Sequence, residues 1–410
     1  MNLFSRLPEL AGKSFLPIGF VARVPLAMLT IGAGTLLIAV SGSYAVGGFA
    51  AGAVGIGSAL GAPILGYLAD HFGQRPVLLL SAFINTLFIA WLVVSSYLVS
   101  DYSGSGALIF LSAAFLMGGT CPQVGPLARV RWMAMASGST EDSARDLDTA
   151  LSYESTADEL TFVLGPAVVG LLASLITPWL PLVLAAVITL TMVPAFAIHP
   201  TVNNVVPLRK LGASARKRDA SAPRTNWLLV AIPVLGMVSM GTFFGATQTT
   251  LFAFGGTFGA ATTAGLLYAV MGLSSAAAAL SVAFWRRSIS YQLRWIAASA
   301  TMAALSAMLL LANDLVPMLV VLFILGIPVG PTMVTIFSIG SVVAPRKLMG
   351  TVMTMLASGI VAGTALGASL SGSISEKSGY TAGFTVSVGA ALALLVLSSI
   401  MFVVLRRRKA

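Results

Sequence analysis

Gly66-Tyr67-Leu68-Ala69-Asp70-His71-Phe72-Gly73-Gln74-Arg75-Pro76 stands between two long apolar runs, 44–67 and 77–99. The stretch is short and polar, and it holds a glycine suited to a tight turn. It therefore reads as a hairpin joining two apolar helices. Outward in both directions the same alternation repeats. Apolar runs of about 20 or more residues, the length that crosses a bilayer core, fall at 16–41, 44–67, 77–99, 106–129, 149–175, 180–199, 226–251, 261–285, 293–312, 316–341, 350–374 and 381–405. The reading is an all-α integral membrane protein of twelve transmembrane helices.

The basic residues fall in alternate gaps. One set of gaps holds Arg6, Lys13, Arg75, Arg129, Arg131, Arg145, the group from Arg209 to Arg224, Arg286, Arg287, Arg294, Arg346, Lys347 and the tail Arg406 to Lys409. The other set holds only Lys377, beside Asp101, Asp314 and Glu376. Of 23 basic residues only Lys377 and Arg23, which lies within a span, depart from the pattern. By the positive-inside rule both termini are expected in the cytoplasm, with the chain multi-pass in the inner (plasma) membrane. Five tryptophans, Trp132, Trp179, Trp227, Trp285 and Trp295, sit at or near span ends, where amphipathic rings favour the headgroup region.

Composition excludes several classes. Charged residues make up 9% of the chain and its mean hydropathy is +0.95, against about a quarter charged in a soluble domain. The net charge of +10 suits short gaps facing an anionic leaflet rather than a nucleic acid. Cys121 is the only cysteine, so no intrachain disulfide forms. The first apolar run is about twice the length of a signal core and reads as a retained helix.

The longest and most polar gap, 200–225, divides the spans six and six. Expected domains are a bundle over 1–199, a cytoplasmic linker over 200–225 and a second bundle over 226–410. Fragments recur across the division. Val124-Gly125-Pro126 reappears as Val329-Gly330-Pro331, and Gly48, Gly55 and Ser58 share their spacing with Gly265, Gly272 and Ser275. Each match pairs a span with the one six later, as parallel repeats require. Gly359, Gly363 and Gly367, four apart, mark a face where another backbone approaches.

The loop quoted first resembles the signature of the major facilitator superfamily: Gly66, three residues, Asp70, two residues, Gly73 and a following basic residue, between the second and third spans. His71 and Gln74 replace residues that are often basic there. Gly165-Pro166-Ala167-Val168-Val169-Gly170 resembles part of the superfamily's antiporter-associated motif, with Gly165, Pro166 and Gly170 bending the helix. The mid-helix arginine typical of span 4 in proton-coupled exporters is missing from 107–124. The resemblance implies two pseudo-symmetric six-helix bundles, a solute site near the midplane and alternating access.

Ionisable groups inside spans are expensive and hence functional candidates. Glu154 and Asp158, four apart, share a face of span 5, with Glu159 beside them. Arg23 in span 1 lies at similar depth. One reading makes Gly66, Asp70, Gly73, Arg75, Arg129, Arg131 and Glu154 a conformational gate. Another makes Asp158 or Glu159 a proton carrier, or a partner of Arg23 in a buried ion pair. Gln123, Met237, Met240, Gln248 and Tyr268 are candidates for a substrate cavity, whose pliable lining suits a hydrophobic or amphipathic solute.

No metal spacing, nucleophile–base pair or phosphate-binding loop occurs, so no enzyme activity, metal or cofactor is expected. The expected function is proton-coupled efflux of a small solute by a monomer. Proton-coupled uptake and a non-transporting sensor or complex subunit are the alternatives. Expected partners are the solute, protons and the lipid bilayer, with no nucleic acid.

Overall fold

A computed structural model describes residues 3–99, 102, 104–136, 141–210, 226–258, 264–286 and 288–407. The helices are α1 (Arg6–Ala11), α2 (Phe15–Ser41), α3 (Tyr44–Phe72), α4 (Gln74–Leu98), α5 (Gly104–Gly119), α6 (Val124–Met135) and α7 (Glu141–Leu175). They continue with α8 (Leu180–Ile198), α9 (Trp227–Thr257), α10 (Ala264–Ser281), α11 (Tyr291–Ser306), α12 (Leu315–Val343) and α13 (Met349–Arg407). Short 3-10 turns join some of them, and no strand occurs among the described residues.

Among the described residues, eleven stretches are long and apolar enough to cross a membrane. The last, Arg346–Arg406, spans 61 residues. A straight helix of that length would run about 90 Å, three bilayer cores. Gly379, at φ 82 and ψ 168, breaks it, so α13 holds the eleventh and twelfth expected spans. The fourth expected span departs in the other direction: it is two helices, α5 and α6, separated at 120–123.

Polarity is inverted relative to a soluble protein. Leu98 and Leu108 are 78% and 69% exposed, while Arg129, Arg131 and Asn85 are 0% exposed. Outward leucines with inward polar groups suit an oily solvent.

The chain forms two compact units. Unit 1 comprises Met1–Ser143, Thr161–Thr225 and Pro345–Ser358; unit 2 comprises Ala144–Leu160, Asn226–Ala344 and Gly359–Ala410. α13 therefore gives its start, through Ser358, to unit 1 and the rest to unit 2, while α7 gives Ala144–Leu160 to unit 2 and both of its ends to unit 1. The basic cluster Arg216, Lys217, Arg218 and Arg224 of the expected linker lies outside the described residues, as do Asp101, Arg287, Arg408 and Lys409.

In unit 1, α2 packs on α8 and α3 on α5, around Met28, Leu36, Ile89, Phe110 and Leu182. Glycine brings α3 against α5: a Cβ on Gly57 would sit 2.0 Å from the Phe115 carbonyl oxygen, and one on Gly61 would sit 1.9 Å from that of Gly119. In unit 2, α10 packs on α12 through Gly326 and Gly330, repeating that pairing six spans later. The Gly359–Gly367 face lies on α9, where a Cβ on Gly363 would meet the Val238 carbonyl oxygen at 2.0 Å.

Candidate functional site

Gly73 closes the turn between α3 and α4 at φ 100, a conformation that glycine tolerates and side chains rarely adopt. That turn leaves Asp70 in the last turn of α3, half-buried. Its Oδ1 accepts the Gly350 N–H at 2.9 Å, and its Oδ2 accepts both the N–H and the Oγ1 hydroxyl of Thr351 at 2.7 Å. Asp70 is thus an anionic cap on the first turn of α13, where the helix dipole is positive. Gly66, one turn earlier, allows this approach: a Cβ there would sit 2.1 Å from Thr354 Oγ1 and 2.7 Å from the Gly350 carbonyl oxygen. Arg75 is exposed.

Arg131 on α6 is bound by neutral acceptors. Its Nε donates to Gln74 Oε1 at 2.8 Å, and its Nη1 donates to the Phe196 carbonyl at 2.8 Å and Thr201 Oγ1 at 3.1 Å. The guanidinium stacks on the Phe196 ring at 4.0 Å. Gln74 is therefore the Arg131 partner within the signature loop. His199 sits beside this cluster. Its Nδ1 accepts the Thr201 N–H at 3.4 Å, so Nε2 carries the proton in the neutral ring and faces Ser14 Oγ at 3.1 Å. Burial and the Arg131 charge both push the His199 pKa below its usual value.

Glu159 belongs to the part of α7 that lies in unit 2. It is 6% exposed, and neither carboxyl oxygen has a hydrogen-bond partner among the described residues. α10 supplies its surroundings: the Ser275 hydroxyl lies alongside without closing a hydrogen bond, and the Tyr268 phenol lies within electrostatic reach. The two helices are pinned one turn away, where Thr156 Oγ1 donates to the Ala276 carbonyl at 3.2 Å. Nearer the start of α7, the Tyr291 hydroxyl donates to Asp148 at 2.5 Å.

The other candidates are dispersed. Glu154 is 1% exposed on α7, and Asp158 is half-buried beside Glu159. Arg23 is 4% exposed, with Nε donating to the Gly19 carbonyl at 3.0 Å, and Arg129 is fully buried on α6. Gly165 packs against Ala27, Pro166 is accommodated within α7 without a break, and Gly170 faces open space. Gln123 is buried between α5 and α6, where Nε2 donates to the Cys121 carbonyl at 2.9 Å. Met237 and Met240 are fully buried in α9, while Gln248 is half-buried there. Thr351, Thr201 and Ser275 were not among the candidates. Each acts through a neighbour distant in sequence, and no local pattern marks it.

The sequence model of the Major Facilitator Superfamily matches residues 15–358. The chain belongs to this superfamily. Among solved structures, that of the human organic anion transporter MFSD10 (TETRAN) is similar, with a TM-score of 0.70. The match covers 94% of this chain and 98% of that one at 18% identity, so the likeness concerns the fold alone. No curated protein sequence matches.

Proposed function

We propose that this major facilitator protein is a proton-coupled exporter of a small hydrophobic or amphipathic solute, with Glu159 as the proton carrier. The observation that carries the reading is the Glu159 carboxyl: it lies within a membrane span, is 6% exposed, and neither oxygen has a hydrogen-bond partner among the described residues. A buried carboxylate without a cation is strongly disfavoured, whereas the protonated acid is not. A group in that position exchanges its proton when solvent reaches it and holds the proton when closed in. Asp158, one residue away and half-buried, is the second candidate carrier.

Asp70 acts in this reading as a conformational latch, holding α13 by its first turn in one state of the cycle. Arg129 and Arg131, in the same unit as Asp70, are assigned to the same gate. The termini lie in the cytoplasm by the distribution of basic residues, the 200–225 stretch joins the two halves in sequence, and the protein works as a monomer in the plasma membrane. The buried methionines of α9 support an adaptable apolar lining. MFSD10 is described as an organic anion transporter, which supports a small organic solute here as well.

The test uses purified protein in liposomes with an imposed pH gradient and a panel of anionic, neutral and cationic amphipathic fluorescent dyes. Gradient-driven flux of at least one dye, lost in Glu159→Gln, is expected. Flux indifferent to the gradient and to both Glu159→Gln and Asp158→Asn contradicts the coupling.

A further inference from the structure

Ser275 on α10 is 1% exposed, and its hydroxyl has no hydrogen-bond partner among the described residues. Other buried serines of unit 2 return their hydroxyls to their own helix: Ser299 donates to the Trp295 carbonyl at 2.6 Å, and Ser338 to that of Val334 at 2.9 Å. The acceptor four residues back from Ser275 is the Met271 carbonyl, and the Ser274 hydroxyl already bonds it at 3.0 Å. With the Ser275 backbone N–H on the same oxygen, both of its lone pairs are used.

Ser275 is held from behind by α12. A Cβ on Gly326 would lie 3.1 Å from the Ser275 nitrogen, and one on Gly330 would lie 2.2 Å from its carbonyl oxygen. Ser274 faces that helix, with Oγ 2.0 Å from the same Gly326 position. One residue on, about 100° around α10, Ser275 is turned to α7 and the Glu159 carboxyl. The bond from Thr156 to the Ala276 carbonyl joins the two helices beside it, and all of these residues lie in unit 2.

The internal repeat separates packing from chemistry here. Ser58 on α3 shares the spacing of Ser275 and is buried, and its backbone nitrogen lies 3.0 Å from a Cβ position on Gly118. Close packing around the serine is thus common to both halves. The acid is not: the stretch 350–374, six spans after that of Glu159, contains no carboxylate.

A protonated carboxyl needs an acceptor for its O–H and a carboxylate needs donors, and a rotating hydroxyl serves as either. The other ionisable groups of unit 2 do not fill both roles. Asp158, beside Glu159, is another acid. Tyr268 is the only titratable residue of α10, and α9 and α12 have none. On α11, Tyr291 donates to Asp148, and Arg294 bonds the Ile289 and Arg286 carbonyls. On α13, Glu376, Lys377 and Arg406 are exposed, and Tyr380 packs on Phe254 and Phe384.

We propose that Ser275 positions the Glu159 proton: its hydroxyl accepts from the protonated acid and donates to the carboxylate once the proton has left. A change of rotamer closes either bond, and Ser275 keeps its own proton throughout. It is a positioning residue, and this role rests on the reading of Glu159 as the proton carrier.

Infrared absorption of the purified full chain, in a detergent without ester groups, tests it. At acid pH the C=O stretch of a protonated carboxyl stands clear of the amide bands, and subtracting the Glu159→Gln spectrum isolates that of Glu159. Ser275→Ala should move this stretch up by several wavenumbers, as for a carboxyl released from a hydrogen bond. Ser275→Cys, whose thiol is a weaker partner of similar size, should give a smaller shift, and Ser58→Ala should give none. A Glu159 stretch unmoved in Ser275→Ala, or moved equally by Ser58→Ala, overturns the positioning role and leaves Glu159 as carrier. Should the alanine variant not fold, an unmoved stretch in Ser275→Cys overturns the role equally. No Glu159 stretch at any pH means that the group never holds a proton, which overturns the coupling reading and this role together.

Discussion

Asp70 and Thr351 meet through two hydrogen bonds to one carboxylate oxygen: Thr351 donates both its backbone N–H and its Oγ1 to Oδ2, each at 2.7 Å. The Gly350 N–H reaches the other oxygen at 2.9 Å. Positions 280 residues apart thus form one helix cap. The arrangement needs a full negative charge beside the first N–H groups of α13, because the dipole and the charge-assisted bonds act together.

Asp70→Asn keeps the shape and removes the charge. It also brings an amide group toward donors, so stability in detergent should fall by about 1–3 kcal/mol. Thr351→Val removes only the hydroxyl bond and should cost about 1 kcal/mol. Thermal or denaturant unfolding of both single variants and the double variant gives the coupling, expected to be favourable. Additive losses would mean that the two side chains do not interact.

The glycine faces predict opposite outcomes for one chemical change. Gly363→Ala drives a methyl to 2.0 Å from the Val238 carbonyl oxygen, and backbone cannot swing away as a side chain can. A loss of about 1–3 kcal/mol is expected. Gly48→Ala meets nothing within 4 Å, and alanine is the better helix former, so that variant should match or slightly exceed the wild type. Melting temperatures of the two variants decide the matter.

His199 predicts a pH dependence with a definite sign. Its folded pKa lies below the unfolded value, because burial and Arg131 disfavour the imidazolium. Between those two pKa values the unfolded chain binds more protons, so stability rises with pH there. The contribution is present above about pH 6.5, the unfolded value, and is lost as the pH falls through the folded pKa. Unfolding measured across that window should show the slope in the wild type. His199→Gln, which retains hydrogen-bonding capacity, should flatten it.

Much of the membrane architecture is legible in local pattern. The Gly73 turn between two long apolar helices and the close-packed Gly363 face each follow from residue type and spacing, and the structure contains both. The break at 120–123 was hidden because proline alone does not decide it. Pro25, Pro63, Pro166 and Pro233 all sit inside unbroken helices of this chain. The acceptors of Arg131 are Gln74, Phe196 and Thr201, two of them more than 60 residues away. Nothing in the local sequence marks such partners. The division of α7 and α13 between the two units was equally hidden, since apolar periodicity says where a helix runs and not which neighbours it keeps.

In the proposed cycle Glu159 moves the proton and not the solute. Solute exchange at equal pH on both sides requires no net proton movement, whereas gradient-driven flux does. Both are measured in the same liposomes with a dye that the wild type transports, comparing wild type with Glu159→Gln. The variant should keep equal-pH exchange and lose the response to the gradient. Gradient-driven flux undiminished in Glu159→Gln, or exchange lost as fully as the gradient response, would contradict it.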